Sequence, residues 1–217
     1  MVSWFCLIFL KPIVLKFLIK EVRGLENIPK TNFILVANHQ SHLDHIITGF
    51  ICVPRRFRII GQIDQYNKGL IRILRDFIYF IAEVIPVNRK DKESKRKAIE
   101  EVIKTLKKGD ILIIYPEGTR SRTAQIQKGK IGVAKIFLRT NIPILPVGIK
   151  GTFELLPPGR SFPRIKKIIE VKVGKCLYFE EEFERAKNLT ENSEEYQKIC
   201  QKIIDRIMEE INNLIVT

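Results

Sequence analysis

The sequence predicts an α/β fold in which a mixed, largely parallel sheet is flanked by helices. Short apolar runs bounded by turn residues recur along the chain, as is typical of buried strands. Stretches with helical periodicity lie between them, and this alternation indicates a parallel sheet covered on both faces. A length of 217 residues is enough for one large domain with a substantial core. The predicted strands are residues 33–37, 57–60, 84–87, 111–115, 144–149 and 168–173, and the predicted helices between them are 66–81, 94–107 and 130–139.

Residues 1–20 are predicted to form a separate apolar helix ahead of the sheet. At about 100° per residue, Lys11, Lys16 and Lys20 fall on one half of this helix and apolar side chains fill the other half. A broad apolar face with lysines at its edges favours a helix that lies in a membrane interface. The alternative is a buried helix that packs on the domain.

Residues 21–180 are assigned to the main domain, which opens with a short strand and turn at residues 22–29. Residues 181–217 are assigned to a C-terminal helical extension. Its apolar residues recur at helical spacing, so it is expected to be an amphipathic helix packed on the domain. These residues are Ile199, Ile203, Ile207, Ile211 and Leu214.

The chain is strongly basic, with 38 Lys and Arg against 24 Asp and Glu and a net charge of +14. An anionic surface or polyanion is therefore the expected partner. No aromatic-rich RNA-binding run or zinc-finger spacing accompanies the basic clusters, which favours membrane phosphates or a phosphorylated substrate over nucleic acid. The four cysteines are far apart, so neither a disulfide framework nor a zinc ribbon is indicated.

The first candidate site is the sequence NHQSHLD at residues 38–44, directly after the strand at 33–37. Histidine is the side chain whose ordinary pKa suits proton abstraction near neutrality, so His39 is a candidate general base. Asp44 lies within the first turn of a helix that begins at Ser41 or His42, from where its carboxylate can orient the imidazole. The alternative is a structural histidine that is hydrogen-bonded at a helix start.

The second candidate site is the sequence YPEGTRS at residues 115–121, which follows the strand at 111–115. Gly118 helps to shape a turn, Thr119 offers a hydroxyl, and Arg120 offers a planar donor for a phosphate. Glu117 is placed either to bind a hydroxyl group or to brace an arginine. The alternative is a turn with surface arginines.

Functional loops of open α/β sheets collect at the carboxyl ends of the strands, and both candidate sites lie at such ends. The two loops are therefore expected to meet, although about eighty residues separate them. Arg89, which follows the strand at 84–87, is a further cation at a strand end.

Five motifs in one order resemble the four-block pattern of the 1-acyl-sn-glycerol-3-phosphate acyltransferases over residues 20–175. They are Asn-His-x4-Asp at 38–44, Ile-Pro-Val-x-Arg at 85–89, Tyr-Pro-Glu-Gly-Thr-Arg-Ser at 115–121, Lys-Gly at 128–129 and Ile-Leu-Pro-Val at 144–147. The resemblance implies that His39 is the base and Asp44 its partner. It further implies that the acceptor's phosphate and glycerol are bound by Arg89, Glu117, Gly118, Thr119 and Arg120, and that Pro146 lies near the acyl-binding region.

By the same resemblance, the substrates are lysophosphatidic acid and an acyl thioester, either acyl-CoA or acyl-ACP. Neither a metal nor another cofactor is required, and acyl carrier protein is a candidate partner. The N-terminal helix corresponds to the membrane-docking helices of the family, which implies peripheral or monotopic attachment to the cytoplasmic face of the cell membrane. Asn88 replaces an acidic residue found in many members, so another lysolipid or glycerol 3-phosphate stays open as the acceptor.

Two other classes of function fit part of the pattern. The spacing of His42, Asp44 and His45 resembles the zinc motif of metallo-β-lactamase-fold hydrolases, but Gln40 stands where the first histidine belongs and the chain has only three histidines. A basic membrane- or nucleic-acid-binding module that performs no chemistry is the second alternative. It predicts that His39→Ala leaves function intact and that salt weakens binding steeply.

Overall fold

The protein forms one sheet of seven strands in a computed structural model that describes residues 11–63, 73, 76 and 83–216. The order across the sheet is β1-β7-β6-β2-β5-β3-β4. The five strands from β6 to β4 are mutually parallel, β7 is antiparallel to β6, and β1 is parallel to β7. The strands are β1 Ile19–Arg23, β2 Ile34–Ala37, β3 Phe57–Gln62, β4 Ile85–Val87, β5 Ile111–Ile114, β6 Ile144–Lys150 and β7 Ile169–Val173.

Helices cover both faces of this sheet. Within the continuous described stretches, 11–63 and 83–216, the α-helices are α1 Lys11–Phe17, α2 Leu43–Cys52, α3 Lys92–Lys107, α4 Gly132–Thr140, α5 Thr152–Leu155, α6 Glu180–Ala186 and α7 Glu194–Val216, and a 3-10 turn spans Leu25–Asn27. No described helix is both long and apolar enough to cross a membrane.

The central strands are buried on both sides, which explains their unbroken apolar sequences. In β2, Leu35 and Ala37 pack with α1 and α2 on one face, whereas Ile34 and Val36 pack with α3, α4, α6 and α7 on the other. We call these the α2 face and the α7 face. Because successive side chains of a strand point to opposite faces, both sets must be apolar to be buried.

The predicted strands agree with the structure to within a few residues, and the predicted helices at 94–107 and 130–139 correspond to α3 and α4. The prediction for 66–81 lies outside the described residues except for Ile73 and Asp76. Helix α3 begins earlier than predicted because the Asp91 side chain caps it, accepting from the backbone N–H groups of Glu93 and Ser94.

The helix predicted over residues 1–20 requires a correction at its end. Residues 1–10 lie outside the described part, α1 ends at Phe17, and Ile19 already belongs to strand β1. The reason is long-range pairing, since Ile19 aligns with Ile169 of β7. At the C-terminus, the predicted amphipathic helix is α7, and its isoleucines Ile199, Ile203, Ile207 and Ile211 are buried on the α7 face.

Candidate active site

Asn38 fixes the direction in which the chain leaves β2. Its side-chain Nδ2 donates to the carbonyl of Ile149 and its Oδ1 accepts from the Ile149 N–H, each at 2.8 Å. The side-chain amide of Asn38 thus pairs with the backbone of β6 directly after β2 ends, where the pairing of the two strands stops. Asn38 is fully buried, so the two bonds also satisfy a polar group that water does not reach.

The predicted pairing of His39 with Asp44 is present. His39 Nδ1 lies 2.9 Å from Asp44 Oδ2, and the same oxygen accepts the backbone N–H of Gln40 at 2.6 Å and of Ser41 at 2.7 Å. Asp44 is fully buried in the first turn of α2. Because a carboxylate only accepts, the ring hydrogen lies on Nδ1 and the Nε2 lone pair is left for a substrate proton.

Aromatic rings hold the imidazole from the side. The Tyr115 ring stacks on the His39 ring with centroids 4.2 Å apart, and the Tyr115 hydroxyl lies 2.9 Å from Thr48 Oγ1. Burial raises the pKa of Tyr115 well above its ordinary value, so its hydroxyl stays neutral. The His39 side chain is only 11% exposed, so little of the ring is open to solvent.

The other two histidines are uncharged near neutrality. Burial lowers the pKa of His45 to about 3, and its ring meets that of His39 edge-on at 5.0 Å. The pKa of His42 is lowered by burial and, next in size, by the charge of Arg120. Neither ring therefore opposes a positive charge that develops on His39.

Glu117 joins the second motif to the first. Its Oε1 accepts the backbone N–H of His39 at 2.7 Å and its Oε2 accepts that of Gln127 at 2.9 Å. In return, the N–H of Ser121 donates to the His39 carbonyl at 2.8 Å. Both backbone groups of His39 are thus held by the loop that follows β5, and the expected meeting of the two loops is observed.

Glu117 is only 2% exposed, and burial raises the pKa of its carboxyl to about 7 against the opposing effect of the two N–H donors. Its oxygens are occupied by backbone groups of this chain. The geometry therefore favours a structural brace over direct contact with a substrate hydroxyl.

Gly118, Thr119 and Arg120 form the outer part of this loop. Gly118 has φ +69°, a conformation that side chains rarely adopt, and a Cβ there would lie 2.8 Å from Lys130 Nζ. Thr119 is exposed and Arg120 half-buried, while the charge of Arg120 reaches His42 in the first motif. A hydroxyl and a guanidinium therefore lie at the surface beside the His39 turn.

The remaining two predicted residues have different positions. Arg89 is half-buried and follows β4, so it lies at the same edge of the parallel strands as His39 and Glu117. Pro146 is buried inside β6, where its carbonyl accepts from the N–H of Gly174. It aligns with Val36, so its ring lies on the α7 face, where it and Leu214 both adjoin Gly174. The structure does not bring Pro146 to the His39 ring.

Several residues of this network carried no functional assignment from the sequence. Ser41 Oγ donates to the carbonyl of Leu156 at 2.8 Å, and Asn38, Thr48 and Tyr115 hold the turn and the ring as described. A buried polar residue next to a strand end is the signal that would have indicated them. Among the described residues, no group of three or more His, Cys, Asp and Glu side chains is arranged to hold a metal ion.

Comparison with known proteins gives matches over most of the chain. A family model described as acyltransferase matches residues 20–150. A chloroplastic 1-acyl-sn-glycerol-3-phosphate acyltransferase of Brassica napus is 28% identical over 160 residues, which cover 73% of this chain and 45% of the relative. The 1-acyl-sn-glycerol-3-phosphate acyltransferase of Borreliella burgdorferi is 35% identical over 135 residues, 60% of this chain and 51% of the relative. The chain spans about half the length of these curated relatives.

A solved structure is also similar. The 1-acyl-sn-glycerophosphate acyltransferase of Thermotoga maritima matches with a TM-score of 0.66 and 28% identity, covering 97% of this chain and 80% of that chain. The predicted fold, a mixed and largely parallel sheet flanked by helices, is confirmed by the strand pairing and by this likeness.

Proposed function

The chain belongs to the acyltransferase family, and from that premise we propose that it moves a fatty acyl group from an acyl thioester to the sn-2 hydroxyl of 1-acyl-sn-glycerol 3-phosphate. The product is phosphatidic acid, a phospholipid precursor. The observation that carries this proposal is the His39–Asp44 pair, in which a buried carboxylate holds the imidazole so that Nε2 can accept a proton. The printed names of the relatives support the same reaction.

The proposed reaction is direct transfer between the two substrates. His39 Nε2 takes the proton of the acceptor hydroxyl as its oxygen attacks the thioester carbonyl. The tetrahedral intermediate then collapses, the carbon–sulfur bond breaks, and the leaving thiolate takes up the proton from the His39 imidazolium, which returns the imidazole to its neutral form. Asp44 stabilises the imidazolium that forms, and the neutral His42 and His45 do not oppose it. The protein needs no resident metal or cofactor for these steps.

The acceptor is proposed to lie over the loop after β5. Its phosphate pairs with Arg120 and with Arg89, both at the carboxyl edge of the parallel strands, and Thr119 offers a hydroxyl. Gly118 lets the backbone approach the ligand without a side chain. Glu117 acts from beneath by bracing the loop, and Pro146 contributes to β6 on the opposite face rather than to this surface.

We further propose peripheral or monotopic attachment to the cytoplasmic face of an anionic membrane, which supplies the lipid acceptor. The exposed apolar residues Ile13, Leu15 and Phe17 of α1, with Lys16 among them, support this partner. Acyl-CoA and acyl-ACP both suit a chain with a net charge of +14. Nucleic acid is not proposed as a partner.

The test is acyl transfer from labelled acyl-CoA and acyl-ACP to lysophosphatidate, glycerol 3-phosphate and other lysolipids, in detergent and in lipid. His39→Ala should lower turnover at least about a hundredfold, the scale of general-base loss, with folding intact. Transfer only to another acceptor would keep the mechanism and change the substrate, as the Asn88 departure leaves open. Turnover that survives in His39→Ala would refute the base assignment, and no transfer to any acceptor would favour a non-catalytic membrane-binding module.

A further inference from the structure

The loop between α5 and β7, residues 157–167, exposes large apolar side chains. Phe162 is 80% exposed and Ile165 is 79% exposed. The guanidinium of Arg160 donates to the Phe162 carbonyl at 2.8 Å, which holds the backbone of the loop at Phe162. Single exposed apolar residues are ordinary, but two close together on one loop indicate a contact surface.

The same loop carries positive charge and no carboxylate. Its sequence, PPGRSFPRIKK, contains Arg160, Arg164, Lys166 and Lys167. None of the four forms an ion pair with a carboxylate of the described residues.

The basic cluster at residues 55–58 differs in this respect. Arg55 donates to the carbonyls of Pro29 and Thr31, and Arg56 pairs with Glu83. Those cations serve the fold. In the 157–167 loop, the side chains of Arg164, Lys166 and Lys167 have no hydrogen bond or ion pair within the described residues and are left for an external anion.

The end of the loop lies beside the end of α1. The carbonyl of Leu18, one residue after α1, accepts the N–H groups of Ile168 and Ile169 at 3.1 and 3.0 Å. Leu18 and Ile168 both pack against the core on the α2 face. Of the nine large apolar side chains that are exposed among the described residues, five belong to these two segments: Ile13, Leu15, Phe17, Phe162 and Ile165.

The loop also begins beside the candidate active site. Leu156, directly before the loop, accepts the Ser41 hydroxyl at its carbonyl, and the N–H of Arg164 donates to the carbonyl of Leu155 at 2.8 Å. A membrane or partner that binds this loop would therefore lie close to the turn that holds His39.

We propose that the 157–167 loop is a second membrane-contacting element, which inserts Phe162 and Ile165 into the interface of an anionic bilayer while its four cations pair with lipid phosphates. This inference deepens the membrane association of the proposed function and does not depend on the reaction itself. A bilayer fits better than a protein partner because exposed apolar residues and basic residues are interspersed in two segments whose ends are joined at Leu18, with no acidic residue in either.

The test is binding of the full chain to phosphatidylcholine vesicles with and without phosphatidylglycerol. Phe162→Ser with Ile165→Ser should weaken partitioning into the anionic vesicles at least about tenfold. Arg164→Gln, Lys166→Gln and Lys167→Gln together should weaken it about a hundredfold at low salt, since each cation near an anionic surface contributes about fivefold.

Matched controls come from surfaces away from the loop. Lys104→Gln, Lys107→Gln and Lys108→Gln remove the same charge from the end of α3, and Tyr178→Ser with Val216→Ser removes exposed apolar side chains elsewhere. Both controls should stay within about threefold of wild type. In detergent, all these variants should transfer acyl groups to a short-chain lysophosphatidate at the wild-type rate.

A direct readout uses the sole tryptophan of the chain. Trp4→Phe with Phe162→Trp should give fluorescence that shifts to the blue and is quenched by brominated lipids in anionic vesicles. Trp4→Phe with Val216→Trp should show neither the blue shift nor the quenching.

Wild-type vesicle binding by both loop variants would overturn the inference, as would an equal loss in the lysine control. Intact vesicle binding with impaired use of acyl-ACP would also overturn it, because the loop would then contact an acidic protein. If the wild-type chain transfers acyl groups in detergent and does not bind anionic vesicles, the proposed membrane contact of the loop and the proposed membrane association are both refuted, and the proposed reaction stands.

Discussion

Replacing Asp44 by asparagine separates the charge of this residue from its hydrogen bonds. One oxygen, Oδ2, accepts from the His39 ring and from the N–H groups of Gln40 and Ser41. Those two N–H groups require an acceptor, so asparagine should place its carbonyl oxygen there and its NH2 where Oδ1 now lies. His39 Nδ1 then keeps an acceptor, and the ring keeps its tautomer.

The loss in rate should therefore come from the missing charge. An imidazolium and a carboxylate about 4 Å apart attract by about 4 kcal/mol at an effective dielectric constant of about 20. If half to all of this attraction acts in the transition state, kcat should fall by about 30-fold to a thousandfold.

The assay is kcat and KM for acyl transfer to lysophosphatidate in detergent, with thermal unfolding as a control for folding. KM for the acceptor should be nearly unchanged. A loss beyond about 10⁴-fold would show that the ring changes tautomer, which refutes the argument from the two N–H groups. A loss below about threefold would show that the carboxylate charge does not assist the reaction. Asp44→Ala should additionally lower stability, because it leaves both N–H groups without their acceptor.

Three further predictions follow from the loop after β5. Glu117→Gln should lower kcat about 10-fold to 100-fold by loosening the His39 turn, since an amide cannot accept two N–H bonds through two oxygens; wild-type kcat in this variant would exclude the bracing role. Because the folded pKa of Glu117, about 7, is above its ordinary 4.5, the folded state holds the proton more tightly, and its contribution to the free energy of unfolding is present below pH 4.5 and lost as pH rises to about 7. By chemical denaturation, the free energy of unfolding of wild type should therefore fall by up to about 3 kcal/mol relative to that of Glu117→Gln between pH 4.5 and about 7. The same pH dependence of this free energy in both proteins would contradict the burial argument. Gly118→Ala should raise KM for the acceptor, while Gly109→Ala, which shares a positive φ but has no neighbour within 4 Å of its Cβ, should show only the backbone strain of about 1–2 kcal/mol by thermal unfolding.

The positions of the strands could be predicted because local sequence determines them. Each of the four residues of β2 is buried, and apolar residues on both faces leave an unbroken run. Sheet order could not be predicted in this way, since it depends on which strands pair over long distances. The antiparallel pairing of β7 with β6 does have a local trace, because Ile169, Val171 and Val173 are buried whereas Glu170 and Lys172 between them are less so.

The contacts of the candidate site likewise include local ones, which the sequence predicts, and long-range ones, which it does not. The pairing of His39 with Asp44 spans five residues at a helix start, so its geometry follows from the local fold. The bond from the His39 N–H to Glu117 spans 78 residues, and the bond from Asn38 to Ile149 spans 111. No local pattern encodes contacts of this length. The family resemblance carried by the motifs is confirmed by the matching family model, whereas the roles of the individual site residues stay predictions.

The long contacts explain why the two motifs belong together physically. His39 is fixed at its ring by Asp44, at its N–H by Glu117 and at its carbonyl by the N–H of Ser121. The backbone of the proposed base is thus held by the loop that carries Thr119 and Arg120, the proposed acceptor-binding residues. A ligand that shifts this loop must also move the imidazole, since both hydrogen bonds join backbone atoms of His39 to it. Acceptor binding and orientation of the base are therefore coupled, and a change on either motif should alter kcat and KM together unless, as with Asp44→Asn, it leaves the hydrogen bonds between the loops unchanged.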